Sequence, residues 1–385
     1  MSVTRMVVFL LVVLSLSGLL HFQVASRWAG LLQLSGRALW TERAVFALLF
    51  LFVPASFALT RMGRPGWLAE IVSWVGYIWM GSLFLLWIGT LSGSLSGAIL
   101  KLIGRLGGWD PTAWVLRAHW GFQLLAVAGV IAAVVGARLA PQIRQVEVSI
   151  KGLPKSFEGY RIAQLSDTHF SHLRGRRYAQ ELVDALDQID ADLVVHTGDL
   201  VDGTVDALRE EVAPLAKVRT KDGKLFVRGN HEAYSGIVPW TAEVRRLGWD
   251  VLENEHRFVR RGEDSICVAG ITDSHEGGAP GGIAPDAKRA LSGVPTGTAI
   301  VLLAHQPRQA LAAQGLGVGL LLSGHTHGGQ IWPFHHLVPL QQPMRAGLGV
   351  LGDVQVFVSR GSGTWGPPLR LFAPAEIPVL VLRRS

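Results

Sequence analysis

The sequence predicts two parts of different fold class: an α-helical transmembrane module of about four spans over residues 1–140, and an α/β domain over residues 141–385. Three observations carry that division. Only 17% of the 385 residues are charged, against about 25% in an ordinary soluble protein. Residues 1–140 hold ten basic and three acidic residues, leaving 26 of each sign for the remainder, so the formal charge of +7 belongs wholly to the first part. From about Val146 the texture changes from long apolar runs to short β-rich runs separated by amphipathic stretches. The excess arginine is spread between apolar runs and forms no stripe, which argues against a nucleic-acid partner. High apolar content excludes a disordered chain, and Cys267 as the single cysteine excludes a disulfide scaffold.

The membrane module rests on four apolar runs. Residues 6–20, 44–59, 67–91 and 121–137 are nearly free of charge, with Glu70 the one exception. A bilayer core of about 30 Å needs roughly 20 apolar residues. The third run satisfies this easily and the fourth just does. The first two need small or polar neighbours such as Ser15, Ser17 and His21 to reach that length. Pro54 is expected to kink the second helix. Nine of the 13 tryptophans lie here, several at run ends (Trp40, Trp67, Trp87, Trp120), as in an interfacial belt. A cleaved signal peptide is the alternative for 6–20, but three further runs would still leave a membrane protein. Residues 139–144, with Pro141, read as the exit linker.

In the α/β domain the candidate strands are 146–150, 161–165, 193–196, 224–227, 266–271, 299–303, 319–322, 354–359 and 377–382, and the candidate helices 178–189, 205–218, 241–247 and 308–314. Short apolar runs bounded by turn residues suit strands buried on both faces, and sheets covered by helices are the expected architecture.

The residues just beyond the strands carry the chemistry. After 161–165 stands Ser166-Asp167-Thr168-His169; after 193–196, Gly198-Asp199-Leu200-Val201-Asp202; after 224–227, Gly229-Asn230-His231-Glu232; after 299–303, His305-Gln306-Pro307; after 319–322, Gly324-His325-Thr326-His327. Each piece alone has an ordinary explanation as a turn, a helix cap or a packed histidine. Five strand ends in succession presenting Asp, His or Asn do not, because ligands in α/β sheets bind outside the carboxyl ends of strands. The seven side chains Asp167, His169, Asp199, Asn230, His305, His325 and His327 make a mixed N/O set suited to Mn, Fe, Zn or Co better than to Ca or Mg.

This ordered set resembles the calcineurin-like metallophosphoesterase family, over roughly 147–382. His305-Gln306-Pro307, Gly328-Gly329-Gln330-Ile331 and Ser359-Arg360-Gly361-x-Gly363 resemble its membrane-associated branch, which includes lipid-precursor pyrophosphatases, and the four-span leader resembles its transmembrane members. The resemblance implies a two-sheet β-sandwich flanked by helices and two divalent transition-metal ions. It implies that Asp167, His169 and His327 hold the first ion, that Asn230, His305 and His325 hold the second, and that Asp199 bridges them. Two cations about 3.5–4 Å apart clamp an in-line displacement and acidify a shared water to hydroxide. His231 is the candidate for stabilising the transition state or protonating the leaving oxygen.

Other residues have milder readings. Asp202 either orients a ligand or caps a helix. His172, His335 and His336 line the pocket mouth or are exposed loop residues. The 360–366 stretch either wraps the site and offers Arg360 to phosphate or is a surface turn. His196 packs at a strand end, and Cys267 is a buried thiol. Apolar segments 331–334, 366–368 and 371–372 form a membrane-facing rim or pack as ordinary loops.

The expected function is therefore a membrane-bound dimetal phosphoesterase cleaving phosphodiester or pyrophosphate bonds by a metal-activated hydroxide. Its expected partners are the lipid bilayer and a phosphate-ester substrate, lipid-linked by preference. The alternatives are a non-enzymatic transport or signalling protein with a regulatory domain, and a phosphoprotein phosphatase. Four spans put both ends on one side, with seven basic residues there against six opposite. Arg5 before the first span, with Arg61 and Arg64 in a compact loop, favours both ends in the cytoplasm, across a plasma or inner membrane. A reporter fused after Ser385 should then be active only in its cytoplasmic form; activity confined to the exported form reverses the orientation.

Overall fold

The computed structural model describes residues 3–61 and 66–385. The chain divides into two compact units, one made of the long helices together with Gly366–Leu369, the other of residues 137–365 and 370–385. Arg64 lies outside the described residues, as do the side chains of Arg5 and Arg61.

The first unit consists of α1 (Val3–Leu31), α2 (Gly36–Arg61), α3 (Trp67–Gly107) and α4 (Thr112–Arg138). All four are long and apolar enough to cross a membrane. His21 meets Phe50 and Trp79, Phe46 meets Trp79, and a Cβ at Gly76 would stand 2.4 Å from Phe52 O. Every helix exceeds its apolar run. The largest difference is α3, with 41 residues against the 25 read from the sequence. Its extension carries Gly93, Ser94, Gly97 and Lys101, poor helix formers or a charge, where a propensity reading stops. Packing overrides propensity there: Cβ atoms at Gly89 and Gly93 would lie 2.9 Å from Phe122 O and 2.5 Å from His119 Nδ1. The small residues let α3 and α4 approach closely, as membrane helices do. The helix α2 continues through Pro54 to Arg61.

Polar contacts run through the interior of this bundle. Arg27 reaches His119 Nε2 (3.2 Å) and Ser94 Oγ (2.9 Å), and Gln123 joins Trp28 Nε1 (3.2 Å) to Thr90 Oγ1 (2.8 Å). Trp79 donates to His21 and Trp87 to Gln23. Helix-to-helix hydrogen bonds of this kind hold bundles in which no water competes.

The second unit is a sandwich of two six-stranded sheets. Its strands are β1 (Gln142–Ile150), β2 (Arg161–Leu165), β3 (Leu193–His196), β4 (Lys224–Phe226), β5 (Asp250–Val251), β6 (Glu255–Arg261), β7 (Asp264–Gly270), β8 (Ile300–Leu303), β9 (Leu320–Ser323), β10 (Gly347–Leu351), β11 (Val354–Val358) and β12 (Glu376–Arg384). The orders are β1-β12-β2-β3-β4-β5 and β10-β11-β9-β8-β7-β6. Because β2, β3, β4 and β5 are mutually parallel, as are β7, β8 and β9, their carboxyl ends gather along one edge of each sheet. Side chains alternate as the period of 2 demands. Leu193 and Val195 face the inter-sheet core with Val301, Leu303 and Leu322, while Val194 faces the helices. Helices α5 (Arg176–Asp187), α6 (Val205–Val212), α7 (Asn230–Ser235) and α8 (Ile237–Arg246) follow β2 to β4, and α9 (Ala287–Ala290) precedes β8.

The departures from expectation have local causes. The strand β1 begins at Gln142, so the exit linker shrinks from 139–144 to Leu139, Ala140 and Pro141. The helix expected over 205–218 ends at Val212, with Pro214 in the first turn of a 3₁₀ segment, and the helix expected over 308–314 is a 3₁₀ segment, Pro307–Ala313. Strands β5, β6 and β10 are absent from the expected set. They are two residues long, charged (Glu-His-Arg-Phe-Val-Arg-Arg) and glycine-rich respectively, and each is the last or outermost strand of its sheet, with no apolar run to announce it.

The glycine seam yields a stability test. Gly93→Leu should cost about 1–3 kcal/mol of overpacking and lower the thermal midpoint of the detergent-solubilised protein. Gly121→Ala, where a Cβ meets nothing within 4 Å, should not lower it. Equal midpoints for the two variants would refute the close α3–α4 contact.

Candidate metal centre

Five strand ends supply the site. The turn after β2 carries Asp167 and His169, the turn after β3 carries Asp199, and Asn230 opens α7 after β4. From the other sheet, His305 follows β8, and His325 and His327 follow β9. Asp167, His169, Asp199, His325 and His327 all adopt positive φ, between 47° and 70°. Side chains that leave strand ends this way converge on one spot.

The structure brings together all eight residues singled out from the sequence. Three groups have ligand atoms within 4.8 Å of one another: Asp167, His169 and His327; His169, Asp199 and His231; Asp199, His305 and His325. Asn230 Oδ1 completes the third at 3.2 Å from His305 Nε2. His325 and His327, two residues apart, go to different groups.

Proton positions test whether these atoms suit cations. His305 Nδ1 lies 2.8 Å from Thr197 O, which only accepts, so Nδ1 carries the hydrogen and Nε2 has a free lone pair in the neutral ring. That lone pair faces Asp199 Oδ2 (3.1 Å), Asn230 Oδ1 (3.2 Å) and His325 Nδ1 (3.2 Å). His169 Nδ1 donates to Asp202 Oδ1 (2.9 Å), so its Nε2 lone pair faces His327 Nε2 (3.1 Å) and Asp199 Oδ2 (3.8 Å). One proton cannot satisfy several acceptors around a single point, whereas a cation can. Ligands about 2.1 Å from one ion stand about 3.0–3.4 Å apart at angles of 90–109°. The residues fit a pair of metal sites sharing Asp199.

The field at this point favours positive charge: against burial, Asp199, Asp167 and Asp273 push His305 up to about 10, so its Nε2 holds a proton near neutral pH until a cation displaces it. Burial would raise Asp199, but His305, His231 and His169 hold it well below the usual carboxylate range. His325 is pushed down to about 3 by burial and by His305, leaving it neutral. His231 Nδ1 lies 2.6 Å from Asp202 Oδ1. Against burial, Asp199 and Asp202 push His231 up to about 9.

Asp202 therefore orients both His169 and His231, and the cap reading fails because Thr204 stands at the N-cap of α6. Glu376 holds Arg360 through its Nη1 (3.1 Å) and its backbone N–H (2.9 Å). The stretch after it does wrap the site, with Ser362 N bonded to Ser166 O and Gly363 N to Asp167 O, and is buried from Gly361 to Thr364. His196 is buried beside Thr168 Oγ1 (3.2 Å) and Gly198 N (3.2 Å). Burial pushes the Cys267 thiol up to about 12. His336 is exposed and His335 half-buried, their rings 3.9 Å apart, and His172 is half-buried.

Sequence reasoning misses two supporting residues. Glu232 is fully buried and accepts from the N–H groups of Gly229, Asp199 and Leu200 at 2.7–3.0 Å, tying two motif loops together. Its position directly after Asn230-His231 is the available signal. Arg370 is buried and donates to the carbonyls of Gly363, Ala373 and Arg360, with Nη2 3.5 Å from His327 Nδ1. Its signal is slight, a lone cation inside an apolar, Pro-rich stretch.

Two mixed sheets, whose parallel strands bring carboxylates and histidines together from five strand ends, make a candidate metal centre of the kind a metal-dependent hydrolase uses. A model of the calcineurin-like phosphoesterase family matches residues 160–329. The chain is 35% identical over 300 residues to a transmembrane protein with metallophosphoesterase domain from Danio rerio, covering 74% of this chain and 69% of that one. It is 35% identical over 274 residues to a protein of the same description from Bos taurus, covering 68% and 61%. A metallophosphoesterase of Campylobacter jejuni is 33% identical over 344 residues, 88% of each chain. The chain belongs to the calcineurin-like phosphoesterase family.

Proposed function

We propose that this membrane protein is a dimetal phosphoesterase that cleaves a phosphodiester or pyrophosphate bond in a lipid-linked substrate, with its catalytic domain in the cytoplasm. The observation that carries the enzyme reading is the convergence of lone pairs around His305 Nε2 and His169 Nε2, with Asp199 common to both. Asp167, His169 and His327 would hold one divalent ion, Asn230, His305 and His325 the other, and Asp199 would serve both. When bound, such a pair supplies Lewis-acid stabilisation of phosphoryl charge and lowers the pKa of water. His231, pinned through Nδ1 by Asp202, holds a proton at Nε2 for the leaving oxygen. Glu232 and Arg370 keep the loops in place while charge develops.

Two features support a lipid substrate. The three-residue linker keeps the domain near the bilayer, since extended chain spans about 3.3–3.6 Å per residue. The apolar segments beside the site divide into two kinds. Ile331 and Leu371 are buried and pair through the backbone, whereas Trp332, Phe334 and Phe372 are 42%, 46% and 82% exposed. Exposed aromatics on motif-flanking loops suit acyl chains or headgroup-level lipid.

Elemental analysis tests the metal assignment. Wild-type protein should hold close to two transition-metal ions per chain, and Asp199→Ala should lose most of both. His231→Ala should keep both yet lose about 10²–10⁴ in rate. Chelator-resistant hydrolysis by metal-free wild type, or near-normal turnover of His231→Ala, would overturn the respective roles. Lipid preference is read separately, from kcat/KM on a lipid substrate in mixed micelles and on a water-soluble analogue with the same headgroup. The lipid should be preferred, and Phe372→Ser should narrow the gap. Equal values for the two substrates would leave the phosphoesterase and remove the lipid.

A further inference from the structure

A groove of about 280 Å³ opens between α1 and α2. Small residues of α1, Gly18, Ala25 and Ala29, leave the space, and Phe46 and Phe50 of α2 wall it. It is far larger than the share of liquid volume of one water, about 30 Å³. Its residues come from these two helices alone, none of them in the metal centre.

The groove is not simply greasy. Glu42 lines it, and both of its carboxylate oxygens are buried without a hydrogen-bond partner among the described residues. The neighbouring polar groups do not answer it. His21 has Nδ1 on Ser17 O (2.7 Å) and Nε2 accepting from Trp79 (2.8 Å), so both ring nitrogens are in use. Arg43 also lines the groove, yet among the described residues no ion pair joins it to Glu42; its guanidinium lies 5.9 Å from the Trp40 ring centroid. A buried carboxylate with no donor is costly, more so in a membrane.

The depth is that of headgroups. Glu42 is the seventh residue of α2, about 9 Å along the helix at 1.5 Å per residue. Trp40 and Trp114 are 71% and 54% exposed at this end of the bundle. Arg117 lies 5.0 Å from the Trp114 ring as Arg43 does near Trp40, the pattern of an interfacial belt. An unpaired carboxylate and an unpaired guanidinium on one groove at this level, with hydrocarbon walls beneath, are complementary to a zwitterion attached to an apolar tail.

We propose that this groove binds a phospholipid whose headgroup carries a primary ammonium. The ammonium donates its N–H groups to Glu42, the phosphate meets Arg43, and an acyl chain lies against Phe46 and Phe50. A quaternary ammonium has no N–H to give Glu42, and an anionic headgroup without an amine offers only neutral hydroxyls and no positive charge, so the site discriminates between headgroups.

Native mass spectrometry of the full-length, delipidated protein tests this, using phosphatidylethanolamine, phosphatidylcholine and phosphatidylglycerol with identical acyl chains. Phosphatidylethanolamine should be retained at about tenfold lower concentration than either of the others, a difference of about 1.4 kcal/mol. Glu42→Gln, which keeps the side-chain shape, should bring phosphatidylethanolamine to the phosphatidylcholine level without weakening phosphatidylglycerol. Ala47→Phe, filling the groove from its exposed side, should weaken all three. Equal retention of the three lipids by the wild type, which needs no variant to fold, would overturn the proposal. So would a Glu42→Gln protein that keeps the preference.

Discussion

The α/β half of this protein depends on holding several of the proposed metal ligands in backbone conformations that L-residues avoid. Asp167, His169, Asp199, His325 and His327 sit in the left-handed region, at about 1–2 kcal/mol each. The cost is met by over-determination. Asp167 N donates to Gly198 O, His169 N to Asp199 O and Gly363 N to Asp167 O, while Glu232 gathers three further N–H groups. Such crossing bonds leave the loops no relaxed alternative. Close approach then demands glycine at particular points. A Cβ at Gly324 would fall 1.9 Å from Ser166 Oγ and 2.1 Å from Asp167 Oδ2, so the motif that presents His325 cannot carry a side chain there.

How much of this is legible in the sequence depends on the physics of each part. Strands buried on both faces announce themselves as short Val/Leu runs, and β2 and β3 are read to the residue. Edge strands do not, because half of their surface is free to be charged, as in β6. The site residues are readable because ligand chemistry restricts them to Asp, Asn and His, and parallel sheets put strand ends together. The choice between uses of one residue type cannot be read. Asp202 fits a helix cap and a histidine partner equally in sequence, and only its 2.6–2.9 Å contacts decide. Arg360 reads as a phosphate ligand or part of a surface turn, and its pairing with Glu376, sixteen residues away, is not visible in the sequence. The seam of α3 and α4 is invisible for a related reason: Gly and Ser are weak helix formers in isolation, and their value lies in the neighbour they admit.

The membrane module is more elaborate than an anchor requires. One span fixes a domain to a bilayer, yet this bundle spends buried histidine and glutamine and a half-buried arginine on helix-to-helix contacts. Polar groups of that kind select one packing among the many that apolar helices allow. Arg27 bonds to Ser94 and His119 and to no carboxylate among the described residues. The polar side chains of α1, α3 and α4 are thus largely spent on one another, while α1 and α2 keep an open groove with Glu42 unanswered. That contrast separates the structural polarity of the bundle from polarity left over for a ligand.

The two halves of the proposed chemistry meet in one atom, Oδ1 of Asp202. It accepts from His169 Nδ1 and from His231 Nδ1, so a single carboxylate fixes the Nδ1–H tautomer of a proposed metal ligand and, with Asp199, keeps the proposed proton donor doubly protonated. Burial alone would favour a neutral acid there, but His169 and His231 hold Asp202 below the usual carboxylate range. The consequences for the two rings differ because their outer nitrogens face different surroundings. The Nε2 of His169 looks into a ring of lone pairs at 3.1–3.8 Å, a position for a cation. The Nε2 of His231 stands 3.9 Å from Asp199 Oδ2, on a ring still 16% exposed, a position for a substrate oxygen. Geometry rather than residue identity thus divides the labour between the two histidines, and it does so through a residue that touches neither metal nor substrate in the proposed mechanism.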